Sequence, residues 1–137
     1  MKVVIDTNVF ISSFLGKGNP GKIIDFWKEG KLKLCLSNPI IDEYIEVLIR
    51  LGIKDGTEIE ELLHLFAKDS NTIFTSKTKS LQIVIDDPDD NKFFECAVAL
   101  NAKYIISGDK KVLKVKNYFG IKVVNPKTFL LDYKSDE

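Results

Sequence analysis

The sequence of 137 residues is poor in cysteine and has neither a dominant charge nor a long apolar run. Its two cysteines, Cys35 and Cys96, lie far apart without a CxxC pattern. This argues against a zinc site or a secreted disulfide framework and is typical of a cytoplasmic protein. The 20 Lys and Arg balance the 20 Asp and Glu, so no overall field draws the chain to nucleic acid or a membrane. Asp6 interrupts the first apolar run and no segment is long enough to span a membrane, so we expect neither a signal peptide nor an anchor.

Histidine is almost absent, which limits the catalytic chemistry. His64 is the only one, and it lies among leucines of a helical pattern, where a packed or surface role is expected. The sequence therefore has no candidate for a Ser-His-Asp or Cys-His arrangement. The length and the apolar fraction of 45% suit one globular domain over residues 1–137, with residues 134–137 as a loose tail.

Short apolar segments alternate with helical patterns along the chain. The run from Val3 to Ile5 is β-branched and unbroken, as in a strand buried on both faces. The alternation predicts an α/β fold, a three-layer α/β/α sandwich with a central, mainly parallel sheet. The predicted strands are 3–5, 32–36, 73–74, 81–85, 103–107 and 121–124. The predicted helices are 9–15, 23–29, 39–51, 57–68, 90–101, 110–115 and 126–131.

Asp6 follows the first predicted strand directly, beside Thr7 and Asn8, whose side chains could orient its carboxylate. Ligands of parallel sheets bind outside the carboxyl ends of the strands, so Asp6 is a candidate site residue. An N-cap role for the next helix is equally compatible with these residue types. Asp109 repeats the position after the strand that ends at Ser107 and could likewise cap the helix that begins at Lys110.

Two helical acids border apolar faces. Glu43 lies beside the stripe of helix 39–51, for which the spacing predicts Ile41, Tyr44, Ile45 and Leu48 as core residues. A carboxylate there costs free energy unless it has a partner. The alternative is a glutamate that extends to water.

Asp90 lies in the first turn of helix 90–101 on the face predicted to bury Phe93, Phe94, Ala97 and Val98. The helix dipole favours an anion at this position, and Asp89 is the predicted N-cap. Turn and cap chemistry would explain one or two acids of the run 86–90, but not all four of them.

The four candidate acids come from two strand ends and two helices that could converge on one crevice; they are Asp6, Glu43, Asp90 and Asp109. Like charges so placed raise one another's pKa values, and a divalent cation would neutralise them. All-oxygen ligands suit Mg²⁺ or Mn²⁺, which points to metal-dependent phosphodiester hydrolysis. Lys110 and Lys111 follow Asp109 and are candidates for contacts with RNA phosphates.

A glycine-rich loop offers a different hypothesis. Gly16, Gly18 and Gly21 match the GxGxxG spacing, and Gly21-Lys22 approaches a P-loop. Both motifs require the loop to follow a buried strand directly, whereas this loop begins about ten residues later, and Ile23 stands where a P-loop has Ser or Thr. Nucleotide binding is therefore a minor alternative to a simple loop.

Four blocks of the sequence resemble those of PIN domains, the Mg²⁺-dependent ribonuclease fold of many prokaryotic toxins of toxin–antitoxin pairs. The blocks surround Asp6-Thr7-Asn8, Ser37-x-Pro39-x-x-x-Glu43, Asp87 to Ala97, and Tyr104 to Asp109, in the family's order and spacing. Asn101 stands where a glycine usually ends the helix, and Asn tolerates that conformation.

The resemblance implies that Asp6, Glu43, Asp90 and Asp109 bind Mg²⁺ or Mn²⁺, with Asn8, Ser107 and Thr7 in support, and leaves the part of Asp87 open. It implies an endoribonuclease that acts on single-stranded RNA, a homodimer and a small antitoxin partner. A PIN-like module that binds RNA or assembles without turnover is the alternative.

Overall fold

A six-stranded sheet crosses the computed structural model, which describes residues 1–14, 16, 18–52, 56–67 and 71–135. The strands are β1 (Lys2–Ile5), β2 (Lys33–Ser37), β3 (Thr72–Thr75), β4 (Tyr104–Ile106), β5 (Asn117–Tyr118) and β6 (Ile121–Val124). Their order is β3-β2-β1-β4-β6-β5. All neighbours are parallel except β5 and β6, so the predicted α/β architecture with a mainly parallel sheet is confirmed.

Helices connect the strands. They are α1 (Thr7–Phe14), α2 (Gly18–Lys28), α3 (Asn38–Arg50), α4 (Gly56–Phe66), α5 (Asn91–Leu100), α6 (Lys110–Leu113) and α7 (Pro126–Ser135), with a 3-10 turn at Pro88–Asp90. Within the described ranges, none of them has the length and apolarity needed to cross a bilayer.

The central strands are buried on both faces. Val3, Val4 and Ile5 are at most 2% exposed, and because successive side chains of a strand point to opposite faces, both faces of β1 are covered. On the side of α1 and α3, the rings of Phe10 and Tyr44 stack with centroids 4.0 Å apart. This packing fixes α1 and α3 against each other directly beside the carboxyl end of β1.

The strand predicted at residues 81–85 is wrong. This segment is part of an irregular strap, residues 81–87, that turns at Ile85 and Asp86 and hydrogen-bonds to side chains of α5. The N–H of Leu81 donates to the Glu95 carboxylate at 2.8 Å, and the N–H groups of Ile83 and Val84 both donate to Asn91 Oδ1, at 3.0 and 2.8 Å. Asn91 and Glu95, which lie one helical turn apart, thus accept the hydrogen bonds that a neighbouring strand would otherwise accept. An apolar sequence pattern does not reveal this difference in partners.

The other differences from the predictions concern the ends of helices and strands and the helix faces that are buried. The last helix reaches Ser135, so the tail predicted from residue 134 is wrong for its first two residues, and residues 136–137 lie outside the described ranges. Strand β5 was missed because its two residues carry no apolar pattern. The stripe of α3 centres on Ile40, Tyr44 and Leu48, with Ile41 and Ile45 half-buried. Val98 is 38% exposed rather than buried.

The glycine loop has a packing role. Gly18 to Gly21 form the first turn of α2, and a Cβ on Gly21 would lie 2.9 Å from the carbonyl carbon of Gly16. The close approach of the two backbones requires glycine at residue 21. The spacing that imitates a nucleotide fingerprint therefore has a structural explanation.

Candidate active site

The first part of the site lies where β1 and β4 end side by side. Ile5 pairs with Ile106 in the parallel ladder, and the Asp6 N–H continues it by donating to the Ile106 carbonyl at 3.0 Å. The residue after each strand is polar and buried, Asp6 on β1 and Ser107 on β4. The register of the sheet therefore places these two side chains together, as expected for the carboxyl edge of a parallel sheet.

Asp6 both caps α1 and belongs to the site. Its carboxylate accepts the Val9 N–H at 2.9 Å and the Ser107 hydroxyl, and only 4% of the residue is exposed. Burial raises the pKa of Asp6 against the opposing effect of these two hydrogen bonds. The capping interpretation of Asp6 is thus confirmed, and its position at the carboxyl end of β1 remains compatible with the predicted site role, because a cap and a site at the end of a strand need the same position.

Ser107 connects Asp6 to Asp109. Its hydroxyl donates to Asp6 and accepts the Asp109 N–H at 3.0 Å. Asp109 itself caps α6 by accepting the Lys111 N–H at 2.9 Å. The hydrogen bonds of a single hydroxyl therefore fix the relative positions of the two strand-end acids.

Asp90 is the least satisfied acid of the site. Its Oδ2 atom is buried and has no hydrogen-bond partner among the described residues. Burial, followed by the neighbouring negative charges, raises its pKa to about 7. The charges that act on it belong to Asp87, Asp109, Asp6 and Glu43. Burying a charged oxygen without a partner costs free energy, and a cation or a proton at this atom would remove that cost.

Carboxylate oxygens of Asp87, Asp90 and Asp109 lie within 4.8 Å of one another. Three neighbouring carboxylates suit a hard divalent cation, and one of them carries the unpartnered Oδ2 of Asp90, so these residues fit such an ion. Asp87, which the sequence left open, is a member of this triad. Asp6 and Glu43 lie outside it, but their charges still raise the pKa of Asp90.

Glu43 is held on the other side of the cluster. Its Oε2 accepts the Thr7 hydroxyl at 2.7 Å and lies 3.1 Å from Lys92 Nζ, which also lies 3.2 Å from Asp89. Burial alone would lower the pKa of Lys92, but its bonds to Glu43 and Asp89 outweigh burial and raise that pKa. Lys92 was missed by sequence reasoning, although it lies one helical turn after Asp89, a spacing at which ion pairs form.

The acids at the start of α5 are arranged differently from the prediction. Asp90, not Asp89, directly precedes α5, because the 3-10 turn Pro88–Asp90 intervenes, and the Asp90 side chain makes no capping hydrogen bond within the described residues. Asn91 and Glu95 are functional candidates that the sequence did not reveal. They hold the strap that ends at Asp87, and a polar Asn91 that is only 7% exposed would have been the signal.

The remaining predicted residues lie around the acids. Thr7 is buried against Glu43, and exposed Asn8 lines a cleft together with Gly108 and Asp109. Lys110 and Lys111 are exposed at the start of α6, and Lys111 lines a second cleft beside the strap. The structure therefore brings every predicted site residue to the same edge of the sheet or next to it.

Comparison with known proteins agrees with this geometry. A model of the PIN domain matches residues 2–111, which include all of the acids described above. The chain belongs to the PIN domain family. It is 34% identical to the uncharacterized protein MJ1680 of Methanocaldococcus jannaschii over 148 aligned residues, covering 98% of this chain and 92% of that protein. PIN domains are generally nucleases and usually use divalent metal ions, and the acidic triad of this PIN domain suits such an ion.

Proposed function

We propose that this PIN domain is an endoribonuclease that uses Mg²⁺ or Mn²⁺ to hydrolyse phosphodiesters of single-stranded RNA. The observation that carries the proposal is the buried Oδ2 of Asp90, which has no partner among the described residues and belongs to one acid of the carboxylate triad. Buried polar atoms nearly always have a partner, and the two neighbouring carboxylates favour a cation in that place over a proton alone.

The acids have separate roles in this proposal. Asp87, Asp90 and Asp109 would hold the ion, which when bound lowers the pKa of a water and offsets charge on a phosphate oxygen. Asp6 lies next to the triad, and the Ser107 hydroxyl fixes its position relative to Asp109. Glu43 completes the acid cluster from α3, with its carboxylate oriented by Thr7. We retain both as catalytic candidates, and Lys110 and Lys111 as contacts for phosphates.

The proposed net reaction is hydrolysis at phosphorus. A water oxygen forms a bond to phosphorus in line with the bond to the 3′-oxygen, which breaks. The water proton passes to the acid cluster and the leaving oxygen gains one. The products are a 3′-hydroxyl and a 5′-phosphate.

A cleavage assay tests the proposal. Labelled single-stranded RNA should be cut in the presence of Mn²⁺, and not with EDTA or by Asp90→Asn. Asp25→Asn is the control, since it removes an equal charge from an exposed position of α2. The new ends should be substrates for an exonuclease that requires a 5′-phosphate. RNA binding without cleavage in any divalent ion would support the non-catalytic module instead.

We also propose that the protein is the toxin of a toxin–antitoxin pair, a homodimer that a small protein inhibits. This rests on the resemblance of its sequence blocks to those toxins. Induced expression should arrest bacterial growth, and Asp90→Asn should relieve the arrest. Light scattering of the purified chain tests the dimer. Unimpaired growth with an active nuclease would contradict the toxin role and leave the enzyme intact.

A further inference from the structure

Helices α2 and α7 enclose a surface groove with a cationic rim. It has a volume of about 360 Å³ and is lined by Asn19, Lys22, Phe26, Lys127, Leu130, Leu131, Tyr133 and Lys134. Three of these residues are lysines, and no described lining residue is acidic. Because the chain as a whole carries no net charge, this is a local concentration of positive charge and not a general property of the surface.

The acids of these two helices do not neutralise the groove. Asp132 accepts a hydrogen bond from the Tyr104 hydroxyl at 3.2 Å, and neither it nor Asp25 lines the groove. The three lysine side chains, by contrast, belong to exposed residues. They are therefore available to an anionic ligand.

Aromatic and aliphatic side chains form the floor between the lysines. The rings of Phe26 and Tyr133 lie 4.8 Å apart at an angle of 34°, and Leu131 is 57% exposed. Aromatic rings and cations are the two elements with which proteins hold single-stranded nucleic acid, since bases stack on the rings and phosphates pair with the cations.

The groove lies next to the cleft that contains Asp109. That cleft, also about 360 Å³, is lined by Asn8, Ser12 and Asp109 and by the first turns of α2 and α7 through Pro20 and Pro126. Their chain neighbours Asn19 and Lys127 line the groove. A ligand strand that extends from this cleft past Pro20 and Pro126 would therefore meet the groove at Asn19 and Lys127.

We propose that the groove between α2 and α7 is the track for one arm of single-stranded RNA. Lys22, Lys127 and Lys134 contact phosphates, and Tyr133 stacks with a base, whereas Phe26 supports Tyr133 and has Lys31 over its own ring. This inference rests on the proposed function, because the groove lies beside a site that is proposed to act on RNA. An acidic peptide would match the charges, but it would not explain why the groove lies next to the cleft that contains Asp109.

Binding of a labelled 12-nucleotide RNA in EDTA tests the track without cleavage. The triple variant Lys22→Gln, Lys127→Gln and Lys134→Gln should weaken binding at least tenfold. Each phosphate contact contributes about 0.7 to the slope of log K against log salt for single strands, so the slope should become shallower by about 2. The control is Lys28→Gln, Lys33→Gln and Lys116→Gln, which removes the same charge from exposed residues outside the groove and should change affinity less than threefold.

Stacking gives a second, independent signature. Tyr133→Leu should weaken RNA binding about fivefold or more without changing the salt slope, because stacking with a base does not release counterions. The melting temperature of each variant confirms that it is folded.

The proposal is overturned if the groove variants bind RNA with the affinity and salt slope of the control. The outcome is independent of the cleavage assay. A chain that binds along the groove but does not cut RNA would refute the nuclease and keep the track. If the wild-type chain cuts RNA but the groove variants bind RNA as tightly as the control, the track is refuted and the nuclease is kept.

Discussion

The two halves of the acid cluster are built in opposite ways. At the ends of β1 and β4, Asp6 and Asp109 are satisfied by a helix-capping N–H each and are joined by Ser107. At the start of α5, Asp90 has a buried oxygen without a partner in the described part of the chain. The first half is satisfied within the folded protein, and the second leaves an oxygen that a cation or a proton would satisfy. Under the proposed function, the strand ends are therefore the fixed part of the site, and the ion binds between Asp109 and the acids on the α5 side.

The largest expected effect is on catalysis. Asp90→Asn and Asp109→Asn should each lower kcat/KM at least 100-fold, or about 2.7 kcal/mol of transition-state stabilisation, because each removes a charged ligand. Cleavage rates of labelled RNA in Mn²⁺ measure this. Asp25→Asn should cleave like the wild type, and an Asp90→Asn protein of normal activity would show that the triad is not the site.

Substitutions in the two halves of the acid cluster should change the melting temperature in opposite directions. In EDTA, Asp6→Ala should lower the melting temperature, since it removes the cap of α1, which is worth about 1 kcal/mol, and leaves the buried Ser107 hydroxyl without its acceptor. Asp90→Ala should raise the melting temperature, because it relieves repulsion among the acids. Differential scanning calorimetry of both proteins checks this. A loss of stability in both would mean that Asp90 is a structural residue like Asp6.

Removing the side chain that holds the strap should lower stability nearly as much as removing the α1 cap at Asp6. Asn91→Ala leaves two backbone N–H groups of the strap without their acceptor, which costs about 1–3 kcal/mol for a buried group. We expect a lower unfolding free energy in urea and faster proteolysis within residues 81–87, together with lower activity because Asp87 loses its support. Ser80→Ala, at an exposed position just before the strap, is the control. Unchanged activity would exclude Asp87 from the site.

The pH dependence of stability provides a smaller test. The folded pKa of Asp90, about 7, lies above the ordinary value of 3.8, so between these pH values the folded state binds more protons than the unfolded state. Stability in EDTA should therefore fall as pH rises from about 4 to about 7. The difference in melting temperature between the wild type and Asp90→Asn isolates this group. A difference that stays constant over the window would contradict the raised pKa.

The smallest effect is expected at Lys92. Lys92→Gln removes the cation that pairs with Glu43, so the acid cluster gains negative charge and Mn²⁺ should bind more tightly. Arg50→Gln is the matched control, since its pair with Glu46 is exposed and such pairs contribute at most about 1 kcal/mol. Titration calorimetry compares the two. Equal Mn²⁺ affinity in both variants would show that Lys92 does not act on the cluster.

The sequence predicted the half of the site that depends on local rules. The Val3 to Ile5 run identifies a buried strand, and an acid directly after it must lie at the carboxyl edge, so the position of Asp6 followed from neighbouring residues. Asp109 followed from the same rule on β4. Helical spacing also indicated correctly that Glu43 borders a buried face.

The strap and the partners of α5 could not be predicted in this way. The apolar residues of 81–85 have the composition of a strand, but their N–H groups bind Asn91 and Glu95, which are acceptors from another element. The ion pairs of Lys92 with Glu43 and Asp89 likewise depend on how α3 and α5 pack. Contacts between elements distant in sequence leave no periodic signal in either element, and therefore the position of Asp87 beside Asp90 and Asp109 became visible only in the structure.

Titration calorimetry of Mn²⁺ into the wild type, Asp90→Asn and Asp25→Asn tests the central claim that Asp87, Asp90 and Asp109 share a divalent cation. The account predicts saturable binding to the wild type, the same affinity for Asp25→Asn, and at least a tenfold weaker affinity for Asp90→Asn. Equal Mn²⁺ affinity of all three proteins would contradict it.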